Sequence, residues 1–324
     1  DLKKEFIWYE NEIGMNYTVE PEFTPIEAAG THLRVWGRDY ALERGPLPSQ
    51  VVSQGEPMLA RPISLTVVQD GRTVVARPEG AVQITGRSPQ RVSLRGAYRA
   101  GDVRLRLEGY LDFDGMLHYR LDVEADPDEK VEGLYLSMPL RPERAMYYHT
   151  TAGGWSGAMD FVPDARGAEA FWSSENFSPF IPYVGFSDDD RALQWFADND
   201  HNWVLGEDRP CVELWRHEDE VELRVHLVRR PGASPVMKDV QFGLIATPVK
   251  PLPSGWRNPS LHFNRMCDSK IAFFWGSGHG GGLSLHESAK LLNYLKVDVP
   301  EGGDPDQILA GLPDTVQGTV DKLS

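Results

Sequence analysis

Within nine residues, Trp195 to Trp203, the chain sets two tryptophans around Asp198, Asp200 and His201, with asparagines at 199 and 202. Sugars are held by aromatic faces stacked on their C–H faces and by carboxylates or amides that accept hydroxyl hydrogen bonds. This segment carries both kinds of group. The same spacing also suits a hairpin whose tryptophans are core residues and whose aspartates make the turn. Taken singly, the tryptophans fit the core reading better. A second cluster runs from Tyr147, Tyr148 and His149 through Gly-Gly-Trp155 to Trp172 and Glu175. The stretch from Ser156 to Pro182 reads as a long irregular connection. Such loops contact ligand or cover another domain. The candidate substrate-binding set is therefore Trp155, Trp172, Glu175, Trp195, Asp198, Asp200, His201 and Trp203.

Glycosidase chemistry needs two carboxyl groups across the scissile bond, one protonated and one ionised. Beside aromatics stand Glu175, Asp198, Asp200 and Glu207, and none can be singled out as catalytic. Asp128, Glu129 and the run Glu218 to Glu220 fall at expected turns, where solvated acids are the simplest reading. Asp188 to Asp190 lacks the calcium-loop spacing, and neither a metal nor a cofactor is expected. His279 sits in a Gly-rich run like the oxyanion segment of lipases. No Gly-x-Ser-x-Gly elbow accompanies it, and the run lacks the Gly-Lys-Ser/Thr of a phosphate cradle. Cys211 and Cys267 fit no metal or redox spacing and read as isolated buried thiols.

The elements that must position these groups are strands. Ile63 to Gln69, Asp70-Gly71 and Arg72 to Ala76 form a strand, turn and strand. Val103 to Asp112 alternates apolar and charged residues, turns at Asp114-Gly115 and returns over Met116 to Glu124. Arg191 to Ala197, Cys211 to Arg216, Val221 to Val228 and Asp239 to Thr247 continue the theme. Period-two alternation means one packed and one wet face. The fold class predicted is mainly β: a large antiparallel β-sandwich of the supersandwich type over residues 1–250. Pro248, Pro251 and Pro253 then mark a domain edge. Beyond them, Ile271 to Gly276 suits a buried strand. Ser284 to Lys296 suits a helix, with Ser284 and Glu287 as its capping box. Residues 251–324 thus read as the incomplete beginning of an α/β, barrel-like domain.

Several segments resemble a family of large bacterial proteins related in architecture to glycoside hydrolase family 123. They are Ile13-Gly, Pro21-Glu-Phe-Thr-Pro, Val35-Trp-Gly-Arg-Asp-Tyr40, Gly45-Pro-Leu-Pro-Ser-Gln, Leu59-Ala-Arg-Pro-Ile, Gln194 to Trp203 and Phe242 to Pro253. The resemblance spans roughly Phe6 to Trp256. It implies an amino-terminal β-sandwich leading into a (β/α)8 barrel. In better-known relatives an Asp-Glu pair inside that barrel acts on 2-acetamido sugars with help from the substrate's own amide. No residue here matches that pair, so none is carried over. A barrel of this type needs about 250 residues, and the chain ends after about one βα unit of it.

Composition narrows the partners. Forty-eight acids against 33 bases leave a net charge of −15, which does not suit a nucleic-acid partner. No apolar run reaches the roughly 18 residues of a membrane span. The bases mostly alternate with acids, as expected of solvated strand faces. Anionic ligands would need a local arginine cluster, which sequence does not reveal. The expected partner is carbohydrate, and a homo-oligomer is compatible. The expected function is the sandwich portion of a glycoside hydrolase acting on a polysaccharide or glycan. Alternatives are a non-catalytic carbohydrate-binding module, or a polysaccharide lyase using Tyr147, Tyr148 or His149. The chain begins at Asp1 without a leader, read as a removed leader or a fragment. Its setting leans towards a secreted or periplasmic bacterial protein.

Overall fold

A computed structural model describes residues 18–125, 131–151, 158–164, 167, 169–176, 180–206, 210–230, 237–252, 303–304 and 307–308. The chain divides into two compact units, Asp1–Pro251 and Leu252–Ser324. The strand and helix expected over Ile271 to Lys296, with His279 and Cys267, lie outside the described residues.

The described residues of the first unit form three sheets. Five short strands between Glu27 and Pro57 form an antiparallel meander. A ten-strand sheet is centred on the long strands Arg91–Ala100, Val103–Asp112, Met116–Glu124 and Met237–Thr247. A seven-strand sheet is centred on Ser64–Gln69, Gly133–Leu140, Val212–Arg216 and Val221–Arg229. Among the described residues every strand pairing is antiparallel except that of Val204–Leu205 with Val228 and Arg229. Within the described part of this unit, helix is confined to the 3₁₀ turns Pro142–Arg144 and Ser174–Asn176.

The alternation in sequence accounts for the core. Leu105 and Leu107 of one strand and Leu117, Tyr119 and Leu121 of the next are fully buried, while Arg106, Glu108 and Arg120 between them face out. On the seven-strand sheet, Leu65, Leu134, Leu136, Leu214 and Leu223 do the same. One hydrophobic cluster joins these two inner faces to Leu33, Tyr40 and Val51 of the meander, the arrangement of a β-sandwich. Burying each such leucine is worth roughly 1.5–3 kcal/mol relative to exposure. The turn at Asp70-Gly71 has positive φ at both residues, 48° and 69°, as a two-residue type I′ hairpin loop requires.

The outward face of the ten-strand sheet carries an exposed ion-pair ladder. Arg91 forks onto Asp112, Arg99 and Arg104 share Glu79, and Arg120 meets Glu108. This is the wet charged face that the alternation predicts. The connection expected to be irregular from Ser156 to Pro182 instead contains the strands Ala158–Phe161 and Ala170–Ser173. Each is only four residues long and pairs with a neighbour from elsewhere in its sheet.

Candidate functional site

The outward face of the seven-strand sheet is different. Val212, Leu214, Leu223 and Val225 point into the core, so Glu213, Trp215, Glu222, Arg224 and His226 must point away from it. Register sets Glu213 opposite Arg224 and Trp215 opposite Glu222. On the next strand, Tyr135 lies opposite His226 and Ser137 opposite Arg224. Despite facing outward, Glu222 is only 2% exposed.

Four side chains converge on that carboxylate. Arg61 Nη2 lies 3.0 Å from Oε1, and the Ser137 hydroxyl donates to the same oxygen. Arg224 reaches Oε2 through Nε at 2.9 Å and Nη2 at 2.8 Å, and His217 Nε2 is 3.1 Å from it. Arg61 also forks onto Glu220, with contacts of 2.9 to 3.1 Å. The guanidinium of Arg224 sits 4.3 Å from the Trp215 ring centre, and the Trp215 and His217 rings stack at 6.0 Å. Burial alone would push the Glu222 carboxyl up. The Arg224 and Ser137 hydrogen bonds and the two guanidinium charges outweigh it and hold the group below its ordinary range.

The donor atoms of His217, Glu220 and Glu222 lie within 4.8 Å of one another, close enough to suggest a cation site. Arg61 and Arg224 already neutralise both carboxylates, so the guanidinium groups do what a metal would do. Glu220 was expected to be solvated with its neighbours. Glu218 and Asp219 are exposed, whereas Glu220 is half-buried under Arg61.

One residue pair along, Glu213 accepts from His226 Nε2 at 3.0 Å and from Arg229 Nη2 at 2.6 Å. Because an ionised carboxylate only accepts, Nε2 carries the imidazole proton. Burial would raise Glu213, yet His226 and Arg229 together hold it down at about 2. Burial pushes His226 below its usual value despite the neighbouring carboxylate. Both shifts act in the same direction on stability. A depressed folded-state pKa stabilises the fold above the unfolded-state value and is lost as pH falls through the folded one. Loss therefore begins near pH 6.5 as unfolded chains take up protons at His226, and Glu213 extends it from about 4.5 to about 2. The Glu213 share is on the order of 2 kcal/mol, allowing for solvent screening. Urea unfolding across this range is expected to show the loss, and Glu213→Gln is expected to flatten the lower part of the curve.

Beside Glu222 and Arg224 a cavity of about 500 Å³ opens where the Arg72–Val75 strand of one sheet leads into Arg77–Pro78 of the other. Ser64, Thr66, Tyr135 and Ser137 line one side, and Leu47 and Tyr98 line the other.

The seven described residues of the set singled out from sequence lie elsewhere. Trp195 is fully enclosed, its ring 6.1 Å from that of Trp203, which meets Phe180 edge-on at 5.6 Å. Trp172 is half-buried against Tyr148. Asp198, Asp200 and His201 are exposed on one turn, where Asn199 Oδ1 accepts from the His201 amide and Asp200 O from the Trp203 amide. Glu175 is exposed on the Ser174–Asn176 turn, and Trp155 lies outside the described residues. The described indoles thus pack inward while the acids of the set face solvent. Tyr147 donates to Asp189 Oδ1 at 3.1 Å, and this bond raises its pKa, opposite to what a tyrosinate base needs.

Residues 26–158 match the third domain of glycoside hydrolase 123. The chain is related to glycoside hydrolase family 123. That relation gives it a carbohydrate-related assignment. The match covers the meander, the long hairpin and five cavity-lining residues of the network sheet, Ser64, Thr66, Val75, Tyr135 and Ser137, while Glu213 to Arg229 lie beyond it. No curated protein matches the chain. Solved structures with partial likeness include the Slr1438 protein from Synechocystis sp. PCC 6803, at 12% identity and TM-score 0.39 over 71% of this chain and 96% of that one. Galactose 1-epimerase from Lactobacillus acidophilus NCFM gives 10% and 0.35 over 69% and 96%. Copper-containing benzylamine oxidase from Hansenula polymorpha gives 9% and 0.35 over 71% and 62%. Among the described residues, no helix is long and apolar enough to cross a membrane.

Proposed function

We propose that this chain is the carbohydrate-contacting sandwich of a glycoside hydrolase whose hydrolytic acid pair lies outside the described residues. The observation that carries the second half is the direction of the buried carboxylates. A glycosidase needs one carboxyl group that stays protonated near neutral pH, hence a raised pKa. Asp188, Glu213 and Glu222 are the buried carboxylates among the described residues, and arginine or histidine partners hold all three below the ordinary range. Such groups cannot serve as the general acid. The family relation supplies the first half. In this reading residues 251–324 open an α/β partner domain, and the protein acts on polysaccharide in a secreted or periplasmic bacterial setting. Asp198, Asp200 and His201 beside Trp203, and Glu175 beside Trp172, supply polar contacts on the sandwich surface.

A glycan array probed with the full chain is the direct test, run beside a panel of glycoside substrates. Binding to at least one glycan class is expected. Folded protein that binds none would remove the reading. Loss of hydrolysis in a folded Asp188→Asn variant would instead move the acid pair into the sandwich.

A further inference from the structure

The chain carries a net charge of −15, so an anionic ligand is repelled at long range and needs a local concentration of positive charge. Most exposed arginines supply none, because Arg91, Arg99, Arg104, Arg106 and Arg120 each lie against an acid. The cavity beside Glu222 gathers several. Arg44, Arg61, Arg77 and Arg224 line it, against Glu222 as the single acid in its wall. Arg61 and Arg224 spend Nε and Nη2 on Glu220 and Glu222 and keep Nη1 unengaged among the described residues. The Arg44 and Arg77 side chains have neither hydrogen bond nor ion pair among the described residues. Two arginine side chains without acids therefore meet at one cavity.

A second observation points the same way. Ser64 lines the cavity, and its buried hydroxyl has no hydrogen-bond partner. A buried hydroxyl left unpaired costs about 1–3 kcal/mol, which a polar ligand would recover. The remaining wall is apolar and aromatic: Leu47, Ile63, Val75, Tyr98 and Tyr135. A bare inorganic anion would leave that wall unused. A sugar ring would cover it with C–H faces, and about 500 Å³ lies in the range of sites that hold ligands of one or two rings.

We infer that this cavity binds an acidic saccharide, its anionic substituent forked by Arg44 and Arg77 and its ring against Tyr135 and the apolar wall. The guanidinium fork matches a carboxylate or sulfate bidentately. The inference rests on the carbohydrate reading and narrows it to anionic sugars.

The test is titration calorimetry on the full chain with tetragalacturonate, its methyl ester, a heparin-derived tetrasaccharide and inorganic sulfate. Arg44→Ala, Arg77→Ala and the double variant are compared with the parent. Because neither arginine side chain has a partner among the described residues, their melting temperatures are expected to stay unchanged, which controls for folding. At least one acidic oligosaccharide is expected to bind tenfold or more tightly than the neutral ester. The double variant is expected to lose that preference, and so is the parent when salt rises from 0.05 to 0.5 M, values chosen because screening lengths shrink from above ~10 Å to below ~5 Å. Preference for the sulfated over the carboxylated sugar supports the inference and names its acid. Equal binding of acid and ester, a preference that survives in the double variant, or sulfate binding as tightly as the sugars overturns it. Neutral glycans bound on the array, with affinity untouched by the double variant, sink this inference while the carbohydrate reading stands. Binding of no glycan at all removes both.

Discussion

Glu222→Gln is expected to destabilise the fold by about 3 kcal/mol, measured as a lower urea midpoint at unchanged slope. Glutamine keeps the shape and one acceptor oxygen but removes the charge that balances Arg61 and Arg224. Breaking one partner of a buried ion network typically costs 3–5 kcal/mol, because the surviving charge remains out of water without a counter-ion. The lower end applies here, since the Arg61 side chain is 41% exposed and can turn towards solvent while keeping Glu220. The same physics predicts non-additivity. Arg61→Met on top of Glu222→Gln is expected to cost less than the two single changes together, by 1 kcal/mol or more in a double-mutant cycle, as is common for contacting charges. A Glu222→Gln cost below about 1 kcal/mol would mean that the network is surface charge and little else.

That network also marks where the sequence stops being informative. Alternation in Cys211 to Arg216 and Val221 to Val228 correctly separates the core residues Leu214, Leu223 and Val225 from Glu213, Trp215, Glu222 and Arg224. It does not say whether the second face is wet. On the ten-strand sheet that face is an exposed ladder, whereas on the seven-strand sheet Arg61 arrives from 159 positions away in the chain and closes over Glu220. A contact that long-range leaves no trace in local spacing. Hairpins, by contrast, are local, and Asp70-Gly71 and Asp114-Gly115 place their strands within about a residue because turn chemistry sets register. The tryptophans show the same limit from the other side. Trp195 occupies an inward position of Ala192–Phe196, between Leu193 and Ala197, which are also buried. Its polar neighbours in sequence sit past the end of the strand, on the exposed turn. Nearness in sequence grouped the indoles with the aspartates, and the strand end separates them. The arginines at the cavity show the converse. Arg44, Arg77 and Arg224 belong to three separated segments, so only the folded register brings them to one wall.

The second large effect is expected at Arg38, which is 3% exposed yet has no carboxylate in its hydrogen-bond set. Its guanidinium instead donates to four carbonyls: Nε to Trp36 at 3.2 Å, Nη1 to Asp114 at 2.7 Å and Ala246 at 3.0 Å, and Nη2 to Val249 at 2.7 Å. These carbonyls belong to the meander, to the turn of the long hairpin and to the final strand with the segment after it. One side chain therefore ties three separate parts of the first unit together. Gly115 must be glycine for this to work, since its φ is 83° and a Cβ there would stand 2.3 Å from Arg38 Nη1. Arg38→Met fills similar volume and relieves the cost of burying a charge, but it strands the acceptors. Each buried carbonyl left unpaired costs about 1–3 kcal/mol, so the losses outweigh the relief and a net destabilisation of about 3–4 kcal/mol is expected. Arg38→Lys keeps the charge with a donor group that cannot span all four oxygens, and about 2 kcal/mol is expected. Amide exchange distinguishes this from a general loss of packing. Protection should fall most along the meander and at the Met237–Thr247 strand, and less at Val221–Arg229 on the other sheet. Uniform loss of protection across both sheets would show that Arg38 contributes core packing, with no special hold on the three segments it bridges.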